Sequence, residues 1–195
     1  FNPSTFAEDT LLRNINIPFN VSHIYDSCFY KCNSLDNITI PDSLLLVDNY
    51  AFSFCYALRS INIPPNVTTI GTRAFRYCSG LKNVSIEPGV ELIKDFAFEN
   101  CNSLPSIEIP GTCKRIQEYA ICRCQVLETI ILNDGIEQID QFALHSNPLL
   151  GNLTFPNSVR KLGYATCHLC NNLQWVIMSE NVTTFPGCLF QIDHS

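Results

Sequence analysis

The residues best suited to chemistry in this 195-residue chain are its eleven cysteines and four histidines. Six cysteines recur at one constant interval or a multiple of it, and two polar residues continue the series: Cys32, Cys55, Cys78, Cys101, Cys124, Asn147, Cys170 and Asp193. Cysteines in a small secreted chain often form disulfides, whereas an isolated thiol is usually buried as a small apolar group. The even spacing favours burial, because a core position shared by every repeat needs no crosslink. We therefore predict that these thiols are buried and mostly reduced.

Five further cysteines lie outside this series, at Cys28, Cys113, Cys122, Cys167 and Cys188. Three of them, Cys28, Cys113 and Cys167, fall at positions that are apolar in the neighbouring repeats, and we expect them to be buried. We expect Cys122 and Cys188 to be exposed. These two thiols are the better candidates for a redox or intermolecular role.

A metal site is the next chemistry to weigh. Cys122, His145 and His168 are separated by the same interval as the cysteines, so stacked repeats would place them in one column. Zinc accepts such ligands at about 2.0–2.3 Å, but Cys122 and His168 would lie two repeats, about 10 Å, apart. No His-x-x-x-His pair accompanies them. The pattern therefore predicts a polar surface column, with no metal site and no cofactor.

Catalytic motifs are lacking in the sequence. There is no Gly-x-Ser-x-Gly nucleophile motif and no glycine-rich phosphate loop, and His23 and His194 stand alone. We assign no catalytic residue and expect no enzyme. A net charge of −6 argues against a nucleic-acid partner, and no apolar run reaches the ~18 residues of a membrane span.

The elements that must position these residues follow from an internal 23-residue repeat. A leucine recurs once per repeat without insertion, at Leu12, Leu35, Leu58, Leu81, Leu104, Leu127, Leu150 and Leu173. Each leucine starts a unit and is offset 0 of that unit, and residues 1–11 form a partial unit. The pattern predicts one array over residues 1–195, a piece of a longer protein because the chain starts inside the repeat.

Within a unit, the apolar spacing predicts the local structure. Offsets 3 and 5 are apolar and alternate as in a strand, and a proline at offset 6 ends that strand. A second extended segment covers offsets 9–12. Offsets 16, 17 and 20, as in Ala74, Phe75 and Cys78, have helical spacing and predict one helical turn. One unit cannot bury its apolar side alone, so the units must stack, about 4.8 Å apart.

The runs LRSINIP at 58–64, VTTIG at 67–71 and AFRYC at 74–78 resemble the BspA-like (treponemal-type) leucine-rich repeat. The resemblance extends from Leu12 to the end of the chain. It implies a leucine-rich-repeat solenoid of the α/β class, a right-handed curved array with a short strand and a helical turn in each unit. The family occurs on bacterial and protist surface proteins, which implies attachment to host cells, matrix proteins or other microbes.

A binding surface is expected on the strand side. Offsets 2 and 4 flank the inward residues and should form two outward stripes, which are polar early in the chain. Ile131, Trp175 and Ile177 make the stripes apolar late in the chain. Exposed aromatic and aliphatic residues can anchor an interface. The alternative is that these side chains pack on a neighbouring unit.

A second candidate patch is an aromatic cluster near basic residues: Tyr50, Phe54, Tyr56 and Tyr77, with Arg59, Arg73, Arg76 and Lys82. Aromatic residues beside arginine are common at protein contacts. The alternative is that Phe54 and Tyr77, both at offset 19, only cover the cysteine series.

Six tripeptides match the N-glycosylation sequon, at Asn20, Asn37, Asn66, Asn83, Asn152 and Asn181. A repeat rich in Asn, Ser and Thr also produces this tripeptide by its phase alone. Each asparagine directly precedes a core position and should face outward, so in a eukaryotic secreted protein several could carry glycans.

Together these patterns favour an extracellular or cell-surface adhesion module. It would recognise a protein or glycan on a host cell, in the matrix or on another microbe. Only 15% of residues are charged, so the polar surface comes largely from Asn, Ser and Thr. An intracellular interaction scaffold is the alternative, an enzyme is a distant third, and an N-terminal signal peptide would distinguish the first two.

Overall fold

The computed structural model describes residues 2–185 and 187–190 and shows a parallel β-solenoid with one coil per 23-residue unit. Each unit contributes a longer strand around offsets 2–5. These longer strands are β1 (Asn14–Asn16), β3 (Asn37–Thr39), β5 (Ser60–Ile63), β7 (Asn83–Ile86), β9 (Ser106–Ile109), β11 (Thr129–Leu132), β13 (Asn152–Thr154) and β15 (Trp175–Ile177). They form the first side of the solenoid, which we call the long-strand side.

A two-residue strand at offsets 11 and 12 follows in each of the first seven units. These are β2 (His23–Ile24), β4 (Leu46–Val47), β6 (Thr69–Ile70), β8 (Leu92–Ile93), β10 (Arg115–Ile116), β12 (Gln138–Ile139) and β14 (Lys161–Leu162). They join into one seven-stranded parallel sheet, which is the short-strand side. In five of these seven units a proline at offset 6 separates the two strands, since proline donates no ladder hydrogen bond.

The strand register confirms the repeat length. Ile15 pairs with Ile38 and Ile61 with Val84, so each residue pairs with the one at the same offset of the next unit. On the long-strand side the strands form the sheets β1–β3, β5–β7 and β9–β11–β13–β15. The predicted leucine-rich-repeat solenoid is therefore the fold of the chain.

The third side, at offsets 13–20, is a turn and not a helix. No helix occurs among residues 2–185 and 187–190, so the predicted helical turn is wrong. Offsets 15 and 19 are left-handed, as at Tyr50 (φ 54°) and Phe54 (φ 65°), which breaks any right-handed helix. The Phe52 N–H donates to Ala74 O of the next unit at 2.7 Å, whereas the Ser53 N–H donates to Tyr50 O at 3.0 Å. Because alternate amides bond to the next unit, this turn side also holds the coils together.

The predicted inward residues are nevertheless correct. Ala51, Phe52 and Cys55 are fully buried, and the same offsets are buried in the neighbouring units. Parallel rings stack at 5.2–5.3 Å between centroids in the series Phe6, Phe29, Phe52, Phe75 and Phe98. Burying a phenylalanine contributes on the order of 1.5–3 kcal/mol, so this column is a main source of cohesion between the first units.

The six cysteines at offset 20 are buried, as predicted, and all eleven cysteines are free thiols. Each offset-20 thiol donates to the offset-17 carbonyl of the preceding unit; for Cys78 the acceptor is Phe52 O at 3.1 Å. Asn147 makes the equivalent bond to Ile121 O at 2.9 Å, which explains how asparagine replaces cysteine. Burial raises the pKa of Cys32 to about 12. Asp193 and His194 lie outside the described residues.

Among the other cysteines, Cys28, Cys113 and Cys167 are buried and Cys188 is exposed, as expected. The expectation that Cys122 is exposed is wrong, because its side chain is fully buried. At the same offset in the preceding unit Glu99 is also buried. The side chains of Glu99 and Cys122 at offset 18 therefore lie beneath the turn, and burial raises the pKa of the Cys122 thiol.

Candidate binding surface

Three large apolar side chains are exposed together at one end of the long-strand side. Trp175 is 51% exposed and Ile177 53% exposed on β15, while Val176 between them faces the core. Ile131 on β11 is 46% exposed. Strand alternation places all three on the same outward face. We call Ile131, Trp175 and Ile177 the sheet patch.

The strand register fixes the spacing of the sheet patch. Ile177 pairs with Thr154, and Ile131 occupies the same offset one unit before Thr154. At about 4.8 Å per strand, Ile131 and Ile177 lie about 10 Å apart. The rest of the outward face is polar and exposed, as at Asn14, Asn16, Asn37, Thr39, Ser60, Asn62, Asn83 and Ser85. The sheet patch is therefore an apolar region at one end of an otherwise polar sheet face.

The second predicted set, Tyr50, Phe54 and Tyr56, also comes together, and Tyr30 links its members. The Tyr30 ring lies 6.5 Å from Tyr50 and 5.6 Å from Phe54, and Phe54 lies 6.1 Å from Tyr56. The Arg76 guanidinium covers Phe54 at 5.8 Å. Tyr50 and Phe54 are half-buried, and Tyr56 is 45% exposed. Phe54 thus packs within the turn side, and Tyr56 is the accessible member.

Sequence reasoning missed a ladder of stacked side chains at offset 15. Arg73 lies between Tyr50 and Phe96, 5.5 and 4.8 Å from their ring centroids, and donates to the Tyr50 hydroxyl at 2.6 Å. Phe96 stacks on Tyr119 at 5.0 Å and Tyr119 on Phe142 at 4.9 Å. The signal was present in the sequence as planar side chains that recur at one offset. Cation–π contacts of this kind contribute about 0.5–1 kcal/mol each at exposed sites.

A buried carboxylate joins three units on the same side. Glu99 is 2% exposed, and its two oxygens accept from Arg76 Nε at 2.5 Å and Arg123 Nη1 at 2.6 Å. Both carboxylate oxygens are occupied by guanidinium groups. The arrangement is structural, because each oxygen is paired with an arginine of a neighbouring unit.

The histidine column predicted from the repeat spacing is present. The rings of His145 and His168 stack at 5.3 Å with an interplanar angle of 8°, and Cys122 occupies the same offset one unit earlier. Parallel rings direct their nitrogen lone pairs side by side and not at one point. Within the described part of the chain no cluster of three or more His, Cys, Asp or Glu residues could hold a metal ion.

The environment of His145 favours its neutral imidazole. The Nδ1 atoms of His145 and His168 are buried, and neither atom forms a hydrogen bond with another described residue. Burial lowers the pKa of His145, and the neighbouring His168 and Arg123 lower it further. Protonation at His145 would add a cation and a donor with no acceptor.

All six sequon asparagines are exposed: Asn20, Asn37, Asn66, Asn83, Asn152 and Asn181. Two of them have a structural role at offset 8. Asn66 Nδ2 donates to Asp42 O at 2.7 Å, and Asn181 Nδ2 donates to Asn157 O at 2.6 Å, each in the preceding unit. Asn37, Asn83 and Asn152 instead project outward from long strands.

A parallel solenoid of 23-residue units with buried leucines defines a leucine-rich-repeat protein. A family model described as "BspA type Leucine rich repeat region (6 copies)" matches residues 1–124 and 91–192. The chain therefore belongs to the BspA-type leucine-rich-repeat family. Membership indicates a protein-binding repeat module.

Solved bacterial structures share the fold. The chain is 26% identical to a leucine-rich repeat protein from Bacteroides ovatus, with a TM-score of 0.62, and the match covers 96% of this chain and 61% of that one. A leucine rich cell surface protein from Faecalibacterium prausnitzii is 24% identical, with a TM-score of 0.52 and coverage of 92% and 64%. The chain thus spans about three fifths of the length of these relatives.

No curated protein sequence matches the chain. None of the described residues forms a helix of the length and apolar character that crossing a bilayer requires.

Proposed function

We propose that this chain is a cell-surface or secreted adhesion module that binds a protein partner through the sheet patch. The observation that carries the proposal is the exposure of Trp175, Ile131 and Ile177 together on an otherwise polar sheet. Isolated exposed apolar residues are ordinary, but several large exposed apolar side chains on one polar face mark an interaction surface. The polar residues around it supply the hydrogen-bonding rim of an interface.

The shape of the surface favours a protein over a small molecule. Small ligands bind in concave sites that enclose most of their area, whereas Trp175 and its neighbours project outward from strands. A tryptophan at the centre of an interface is among the residues most often responsible for affinity. Trp175 is therefore the principal anchor in the proposal, and the two isoleucines extend it.

The location outside the cell is supported by two features. The chain belongs to a repeat family, and its sequence resemblance to that family implies a surface protein. In addition, six exposed asparagines lie in sequons that a eukaryotic secretory pathway could modify. In such a location the chain would adhere to a host, matrix or microbial protein. The aromatic set around Tyr56 is the alternative contact surface.

The experiment is site-specific photo-crosslinking. A photoreactive amino acid replaces Ile177 in one variant and Tyr56 in another, and each is irradiated with intact cells and with purified matrix proteins. The proposal expects one protein adduct from the Ile177 variant and none from the Tyr56 variant. Adducts from the Tyr56 variant alone would move the site to the turn side and contradict the proposal.

A further inference from the structure

A polar groove runs along the short-strand side, away from the sheet patch. It has a volume of about 670 Å³ and crosses β10, β12 and β14. Its floor is a fixed network around Asp140. Arg115 donates to Asp140 Oδ2 from Nε at 3.0 Å and from Nη2 at 2.8 Å, while Gln138 Nε2 donates to Asp140 Oδ1 at 2.7 Å. The floor therefore presents planar polar groups in set orientations.

One wall of the groove is built from a single offset in four consecutive units. Offset 14 supplies Asp95, Glu118, Gln141 and Tyr164. Asp95 Oδ1 accepts from the Glu118 N–H at 3.1 Å, which orients the first carboxylate. With about 4.8 Å between units, the wall extends about 14 Å from Asp95 to Tyr164. The groove can thus accommodate a linear ligand of several rings.

The opposite wall carries positive charge. Arg160 and Lys161 line it, and neither forms an ion pair with another described residue. Together with Arg115 they balance the three carboxylates of the groove, Asp95, Glu118 and Asp140. A groove of balanced charge in a chain of net charge −6 does not concentrate anions, and its cationic wall disfavours bound cations.

One end of the groove has an aromatic platform. Tyr164 is 47% exposed, and its ring is held edge-to-face against Phe142 at 5.6 Å between centroids. A held aromatic ring offers an apolar face beside a polar hydroxyl. Such a face suits the C–H surface of a sugar ring, while the hydroxyls of that ring turn toward the polar walls.

We propose that this groove binds a neutral oligosaccharide. Hydroxyl groups both donate and accept, so one ring of an oligosaccharide can donate to Glu118 and Asp95 while another ring accepts from Arg160 and Lys161. An apolar ligand would leave these groups unpaired, and a polyanion would meet three carboxylates. The glycan site is a second site, on a different side from the sheet patch, and it goes beyond the protein-binding function proposed above.

The test is a glycan array that displays neutral and acidic oligosaccharides. The chain is presented as a streptavidin-linked tetramer, because multivalency makes weak binding detectable. The proposal expects binding to a neutral oligosaccharide and at least a tenfold loss in both Tyr164→Ala and Gln141→Ala. Tyr56→Ala is the matched control, since Tyr56 is 45% exposed on another side and should bind like the parent.

Each outcome decides the proposal. Unchanged melting temperatures of the two groove variants show that lost binding is not lost folding. Binding to acidic glycans alone, to no neutral glycan, or equally by Tyr164→Ala and the parent would overturn it. Trp175→Ala should keep full glycan binding, so failure of the glycan site and failure of the protein-binding site are told apart.

Discussion

Asn152 on β13 and Trp175 on β15 are directly paired in neighbouring parallel strands, and both side chains face outward. Asn152 is also the first residue of the sequon Asn-Leu-Thr. With about 4.8 Å between paired strands, a glycan on Asn152 would extend over the indole of Trp175. We therefore predict that modification at Asn152 would block partner contact at Trp175.

The first prediction is that a glycan on Asn152 shields Trp175 from solvent. Trp175 is the single tryptophan of the chain, so intrinsic fluorescence reports on it alone. Protein secreted from a eukaryotic host, with occupancy measured by mass spectrometry, should show weaker acrylamide quenching than Asn152→Gln. Asn37→Gln is the control, because Asn37 lies on β3, far along the solenoid. Equal quenching of the occupied protein and Asn152→Gln would contradict the shielding.

Much of the fold was predictable because one interval governs it. The leucine spacing predicted the strand register, and the position of Cys78 in its unit predicted its burial. The helical turn was wrong because offsets 16, 17 and 20 face inward both in a helix and in this turn. The observed turn differs from a helix in its left-handed backbone at Tyr50 and Phe54, and neither tyrosine nor phenylalanine is a residue type that predicts this conformation.

The candidate surfaces were predictable to a lesser extent. Strand alternation alone placed Trp175 on the outward face, and its exposure agrees. The burial of Cys122 was missed, because it depends on the cover formed by adjacent units. The groove around Asp140 was also missed, since its lining offsets change residue type from unit to unit. A site assembled from unlike residues gives no periodic signal.

The second prediction concerns the buried thiol series. Cys78→Ser should destabilise the protein by roughly 1–3 kcal/mol, because a hydroxyl is harder to desolvate than a thiol and fills the site less well. The measurement is urea denaturation followed by circular dichroism. Cys188→Ser is the matched control and should change the free energy of unfolding little, since Cys188 is exposed. Equal effects of the two substitutions would show that the series contributes nothing specific to stability.

The third prediction concerns the buried ion pairs. Glu99→Gln should lower the free energy of unfolding by about 1.5–3 kcal/mol, because it weakens charge-assisted bonds to Arg76 and Arg123. Glu137→Gln should change it by less than about 0.5 kcal/mol, since its pair with Lys114 is exposed and 4.0 Å long. A double-mutant cycle with Arg123 measures the coupling. Coupling near zero would show that Glu99 does not hold these units together.

The fourth prediction concerns pH. Burial, His168 and Arg123 lower the pKa of His145 in the folded state. His145 therefore binds a proton more tightly in the unfolded state than in the folded state. Its contribution to the free energy of unfolding is fully present above a pH of about 6.5 and is lost as the pH falls below that value. The fall in unfolding free energy between pH 7.5 and 5 should be smaller in His145→Gln than in the parent. A fall of the same size or larger in the variant would exclude His145 as a source of acid sensitivity.

The most direct test of the sheet patch is the affinity of Trp175→Ala for the partner identified by crosslinking. Biolayer interferometry should show binding weakened by about 2 kcal/mol or more, roughly thirtyfold. The melting temperature should stay unchanged because Trp175 is half exposed. Tyr56→Ala, which removes a similarly exposed aromatic from the turn side, should bind like the parent. Parent-like affinity of Trp175→Ala, with binding lost in Tyr56→Ala, would contradict the sheet patch as the binding surface.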